Sequence, residues 1–151
     1  MITEQQGTNR TLQLYEILDL ISSKKNKKER VEAVQSFGAR HSSFTDYLRC
    51  VFDDRIQFLL PEGSPPYTPA IESAVPSTWH KQHMQLAYLV KGGKGPDMIP
   101  MKREMIFINM LESVHPRDAE VLVDMINKTT KCKGLTKTVV KEAIPNLIMS
   151  S

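Results

Sequence analysis

The chemistry this chain could offer lies in its lysines and in the small residues set among them. Between Lys128 and Lys141 stand Lys131, Lys133, Gly134, Thr136 and Lys137, with no acidic residue in the stretch. Gly134 permits close backbone approach, and Thr136 is placed to open a helix whose first N–H groups lack intrahelical acceptors. Such an arrangement suits a phosphate or another anion, although the same residues also read as an ordinary turn with solvated lysines. Ser22 to Arg30 repeats the pattern with Ser23, Lys24, Lys25, Lys27 and Lys28 at the expected start of a helix. A third stretch, Lys91 to Arg103, holds Lys91, Lys94, Lys102 and Arg103 against Asp97.

The net charge of +3 understates this asymmetry. The three stretches carry fourteen of the 20 basic residues and two of the 17 acidic ones, so the remainder of the chain is acidic. Basic spots on an acidic body point to an anionic partner more firmly than the sequence pI near 8.9 does.

Other candidate groups do not assemble. His80 and His83 lie three apart and could face one metal, but no carboxylate or cysteine nearby completes a ligand set. His41 and His115 each stand beside a helix start, where capping or solvent exposure is expected. Gly93-Lys94 would need a glycine at Tyr88 and a hydroxyl at Gly95 to form a phosphate loop of the Walker type. Met84, Met98, Met101, Met105 and Met110 are expected to fill the core. Cys50 and Cys132 suggest neither a disulfide framework nor a zinc knuckle. No nucleophile, base and orienting partner come together, so no enzyme, cofactor or metal is expected.

The elements that must position the basic stretches follow from the apolar spacing. A chain of 151 residues, 40% hydrophobic and 25% charged, fits one globular domain. We expect an all-α fold of about six to seven helices, with Met1 to Arg10 as a flexible N-terminus and residues 11–148 as one helical domain. Leu14, Ile17, Leu18 and Ile21 mark helix one; Val31, Val34 and Phe37 mark helix two, with Gly38 as its stop. Ser43 and Asp46 resemble a capping box ahead of Phe44, Tyr47, Leu48, Val51 and Phe52. The run Ile56 to Leu60 could be a helical turn or extended. Pro61, Pro65, Pro66, Pro69 and Pro76 impose a long central loop.

Helix four is expected from Thr78 to Val90, burying Trp79, Leu86, Ala87, Leu89 and Val90. Helix five follows Pro100 with Met101, Met105, Ile108 and Leu111 on one face. Helix six starts at Pro116, and helix seven has Thr136 as its N-cap. No apolar run approaches the roughly 20 residues of a membrane span, and Met1 to Arg10 lacks the basic and apolar regions of a signal peptide. A cytoplasmic location is expected.

Several of these residues carry a resemblance to a known family. Leu14-Tyr15-Glu16-Ile17-Leu18, the Ser22 to Lys28 turn, Arg30-Val31-Glu32-Ala33-Val34 and the aromatic third helix resemble the N-terminal DNA-binding domain of T-even-type phage ATP-dependent DNA ligases. Met110-Leu111-Glu112, the Gly134 to Thr136 turn and Ala143-Ile144-Pro145-Asn146-Leu147-Ile148 continue it, while Pro61 to Pro100 departs from it. The chain is also similar to small uncharacterised proteins of T-even-type tailed phages. The resemblance implies a helical domain that grips duplex DNA by its backbone while a separate domain performs the chemistry. The Lys-x-Asp-Gly adenylation motif of ligases does not occur between Met1 and Ser151.

On that resemblance Ser23, Lys24, Lys25, Lys27, Lys133, Gly134, Thr136 and Lys137 map onto backbone-contacting turns, with Lys102 and Arg103 as a further group. The expected function is therefore a non-catalytic, sequence-independent binder of double-stranded DNA, with Lys28 and Lys131 joining the basic surface, and a phage accessory role. An adaptor docking on a replication, transcription or host-defence protein through the proline-rich loop is the first alternative. A virion structural component is the second. Aromatic residues make up only 7%, which disfavours a binder of single strands by base stacking.

Overall fold

The computed structural model describes residues 11–93 and 98–148. The N-terminal stretch Met1 to Arg10, expected to be flexible, lies outside the described residues, as do Lys94 and Gly95 of the second basic stretch. Among the described residues seven α-helices follow one another around an apolar core, and there is no strand. No helix among them is long and apolar enough to cross a membrane.

The first three helices form where the apolar spacing is cleanest. α1 (Leu14–Ser22) buries Leu14, Ile17, Leu18 and Ile21, which recur at three and four residues and so share one face. α2 (Lys27–Arg40) begins at Asn26, whose side chain accepts from Glu29 N at 2.9 Å, so Asn26 and not the serines caps this helix. It also runs past Gly38. A Cβ at Gly38 would lie 2.6 Å from Ile144 Cδ1, so this glycine gives room for close packing and does not end the helix.

α3 (Ser42–Phe52) has His41 at its N-cap, and the expected capping box does not form. Ser43 is buried and bonded to His80 Nδ1 at 2.5 Å, while Asp46 meets His83 Nδ1 at 2.6 Å. The two histidines thus face different partners on α3 and do not converge as metal ligands. His80 Nε2 donates to Leu12 O at 2.7 Å, because a carbonyl can only accept. Trp79, fully buried, donates its indole N–H to Ser43 O at 2.8 Å. One turn of chain therefore ties the start of the domain to α3.

α4 (Trp79–Gln82) is short, and the chain tightens into a 3-10 turn over His83–Tyr88, where a longer helix was expected. Trp79, His83, Leu86 and Leu89 are buried, whereas Ala87 and Val90 are only partly so. The run after α3 is extended: Leu59 N donates to Leu89 O and Lys91 N to Gln57 O, both at 2.8 Å, flanking a Phe58–Val90 bridge. α5 (Pro100–Ser113) buries Phe107, Met110 and Leu111. Its Met101 and Met105, expected in the core, are 72% and 49% exposed, and Met84 is 73% exposed. The apolar face of α5 is thus rotated from the expected one, and of these methionines Met110 is the buried one.

The proline-rich segment is fastened to the helices behind it. Asn127 accepts from Gly63 N at 2.9 Å and donates to Gly63 O at 3.1 Å, and Glu112 accepts from Thr68 N at 2.8 Å. These side chains supply the backbone bonds that prolines cannot make with one another. The loop lies on the surface as a strap across α5 and α6.

α6 (Pro116–Ile126) starts with His115 as N-cap, Nδ1 accepting from Arg117 N at 3.0 Å. Its Asp118 is fully buried and accepts from Tyr15 N, in the first turn of α1, at 2.7 Å. The carboxylate therefore caps a second helix. Its other oxygen, Oδ2, is buried without a hydrogen-bond partner. Burial, opposed by the backbone bond from Tyr15, raises the Asp118 carboxyl to about 6.

A folded-state value above the unfolded one of 3.8 means that the neutral acid is favoured by folding. Stability from this group is full below about pH 4 and falls as pH rises through 6. Asp118→Asn keeps an acceptor for Tyr15 N and cannot ionise. We expect the stability of the native chain relative to this variant to rise by about 2 kcal/mol between pH 7 and pH 4. Urea unfolding at both pH values checks this, and parallel curves would refute the assignment.

Candidate nucleic-acid interface

The first and third basic stretches, about a hundred residues apart in sequence, are brought against each other. α7 (Lys137–Ala143) packs chiefly on α2 and buries Val139, Val140 and Ala143. Thr136 is its N-cap, as expected, accepting from Val139 N at 3.2 Å. In the turn before it, Gly134 has φ +83°, a left-handed conformation that favours glycine. A Cβ at Gly134 would overlap Arg30 at Cδ and Nε, so the open face of this glycine is filled by an α2 side chain rather than left for a ligand. Arg30 also donates from Nη1 to Lys24 O at 3.2 Å.

Further contacts tie the two stretches to each other and to the helices beside them. Ser22 Oγ lies 3.3 Å from Cys132 Sγ, Cys132 Sγ bonds Leu18 O at 3.3 Å, and Lys27 pairs with Glu142 at 3.2 Å. The Cys132 thiol is pushed up by burial and stays protonated at neutral pH.

The basic side chains divide into two groups. Lys25, Lys28, Lys133 and Lys141 are exposed, with no ion-pair partner among the described residues. Lys27, Lys131 and Lys137 pair with Glu142, Asp124 and Asp54 at 3.2, 3.5 and 3.3 Å. These exposed pairs are each worth about 0–1 kcal/mol, so a phosphate could displace the carboxylates. Lys24 is half-buried and lends its carbonyl to Arg30.

Three expected contacts, and one further lysine of the third stretch, are engaged within the fold. The Ser23 hydroxyl donates to Leu20 O at 2.6 Å and has no hydrogen left for a phosphate. Gly134 serves packing, as described. Arg103 donates to Leu59 O at 3.2 Å and Met98 O at 2.6 Å, and so holds the start of α5. Lys128, counted in the third stretch, places Nζ at 2.8 Å from Asp53 O and 3.1 Å from Ile56 O, capping the end of α3. Burial lowers the Lys128 ammonium from its usual range. Lys102 is exposed on α5, which packs on α6 and the 3-10 turn and so stands apart from the α2 and α7 face.

Arg30 is the residue this face adds. Its position in the first basic stretch was plain, but its partner Gly134 is too remote in sequence for either residue to indicate the other.

The structure thus defines an all-α domain with one mixed, predominantly basic face. Residues 17–132 match a family of unknown function, DUF6433, and the chain belongs to that family. No curated protein matches its sequence.

Gly134→Ala should destabilise the domain by about 1–3 kcal/mol, since it both forces a left-handed alanine and crowds Arg30. The neighbouring Lys133→Ala should change stability by less than about 0.5 kcal/mol. Thermal unfolding of the two variants checks the contrast, and equal Tm values would mean that the turn does not hold α7 on α2.

Proposed function

We propose that this protein is a non-catalytic module that binds double-stranded DNA by its phosphate backbone without reading sequence. The observation that carries the reading is the meeting of two remote basic stretches on one face, where Lys25, Lys28, Lys133 and Lys141 have no ion-pair partner among the described residues. A duplex presents a dense array of phosphates, so clustered ammonium groups gain from counterion release on binding. Lys27, Lys131 and Lys137 add to the same field once their carboxylate partners are exchanged for phosphate. The Thr136 hydroxyl accepts from its own helix and can still donate outward. Lys24 contributes charge, whereas Ser23, Gly134 and Arg103 act by holding the surface in shape.

The likeness to the ligase DNA-binding domain supports the reading, because the residues that carry it include both basic turns. It also supports a phage accessory role. The missing Lys-x-Asp-Gly motif favours binding without ligation.

Binding should be strong at low salt and fall with salt. If about five phosphates are neutralised, log affinity should decline against log salt with a slope of roughly −4 to −5. A fluorescence titration comparing intact duplex, nicked duplex and single strand measures this. The triple variant Lys25→Glu, Lys28→Glu, Lys133→Glu should lose most of the affinity and keep the native circular dichroism. Undiminished binding by that variant would place the interface elsewhere, and no binding at low salt would remove the proposal.

A further inference from the structure

A separate feature lies between the proline-rich strap and α5. Here a cleft of about 380 Å³ opens, floored by Phe107, Ile108 and Ile126 and walled by Leu60, Pro61 and Pro65. Its volume stands near the lower end of the roughly 300–1,000 Å³ range of binding pockets. The strap that forms its wall is held by Asn127 on Gly63 and by Glu112 on Thr68, so the cleft is built by fixed bonds.

Two further observations indicate an occupant. Glu62 and Glu104 line the cleft, and neither carboxylate has an ion-pair partner among the described residues. In a chain of net charge +3, a cleft lined by unpaired carboxylates attracts cations against the overall field. The apolar surface also continues beyond the cleft. Met101, Met105 and Ile108 follow at i, i+4 and i+7 on α5, and the first two are 72% and 49% exposed. Seven residues of helix span about 10 Å, so the apolar track is longer than a small ligand needs. Exposed methionines adapt to varied partner side chains.

We infer that the cleft between the strap and α5 is a docking site for a polypeptide segment of a partner protein, one that inserts an apolar side chain and flanks it with Lys or Arg. The apolar anchor fills the space above Phe107 and Ile108, a second apolar residue lies along Met105 and Met101, and the flanking cations meet Glu62 and Glu104. The strap is then a wall of the receptor. This site shares no residue with the basic face, and neither reading depends on the other.

The test uses the full chain and a library of random short peptides displayed on yeast. Selected peptides should carry aromatic or aliphatic residues beside Lys or Arg. When titrated, they should shift the amide resonances of Leu60 and Ile108. The variant Glu62→Lys, Glu104→Lys, which changes two surface side chains, should bind them about tenfold more weakly or worse. Lys25→Glu, Lys28→Glu should leave their binding unchanged. The proposal fails if no peptide is enriched, if the enriched peptides lack basic residues, or if the Glu62→Lys, Glu104→Lys variant binds as well as the native chain.

Discussion

The packing of α7 on α2 is the constraint on which the shape of this protein's basic face depends, and two glycines make it possible. At Gly38 the missing Cβ leaves room for Ile144, and at Gly134 it leaves room for Arg30. With side chains at both positions Ile144 and Arg30 would have to move from where they now pack, loosening the contact that holds Val139, Val140 and Ala143 against the core. The consequence is electrostatic as well as steric. Each basic stretch alone is a solvated turn; the meeting of Arg30 with Gly134 sets the two turns side by side, so that their positive charge is concentrated rather than spread. Arg30 links the two effects, since its stem fills the space over Gly134 while its guanidinium adds to the charge.

A second constraint acts through buried polar groups. Asp118 caps α1 from within α6, His80 joins Leu12 to Ser43, and Lys128 closes the end of α3 on Asp53 and Ile56. Each satisfies backbone or side-chain groups that would otherwise be stranded between helices. The ionisable groups in these roles are accordingly drawn away from the tasks their residue types suggest. Lysine becomes a cap and histidine becomes a pin. The strap repeats the principle in a segment rich in proline, where Asn127 and Glu112 provide the bonds that hold an irregular backbone on the helices.

Much of this architecture was legible from the sequence where local rules decide it. α1, α3 and α6 carry apolar residues at unbroken helical spacing, and Thr136 caps α7 as its position suggests. α5 was legible as a helix but not as to its face. Met101, Met105 and Ile108 share the spacing of a buried stripe, and only packing against α6 selects Phe107, Met110 and Leu111 instead. The capping box at Ser43 does not form because α3 already begins at Ser42, and His80 of α4 and His83 of the 3-10 turn take Ser43 and Asp46 as partners. The basic face was half legible. Its lysines stood out, but the contact that assembles it joins Arg30 to Gly134, and no local pattern in a single sequence encodes that meeting.

The central claim, that two remote stretches act as one nucleic-acid surface, is tested most directly by following the backbone amide resonances of the full chain as a short DNA duplex is added. The account predicts that Lys25, Lys28, Lys133 and Thr136 shift together, along one binding curve, while Lys102 and the strap residues stay still. Shifts confined to one of the two stretches, or centred on Lys102, would contradict it.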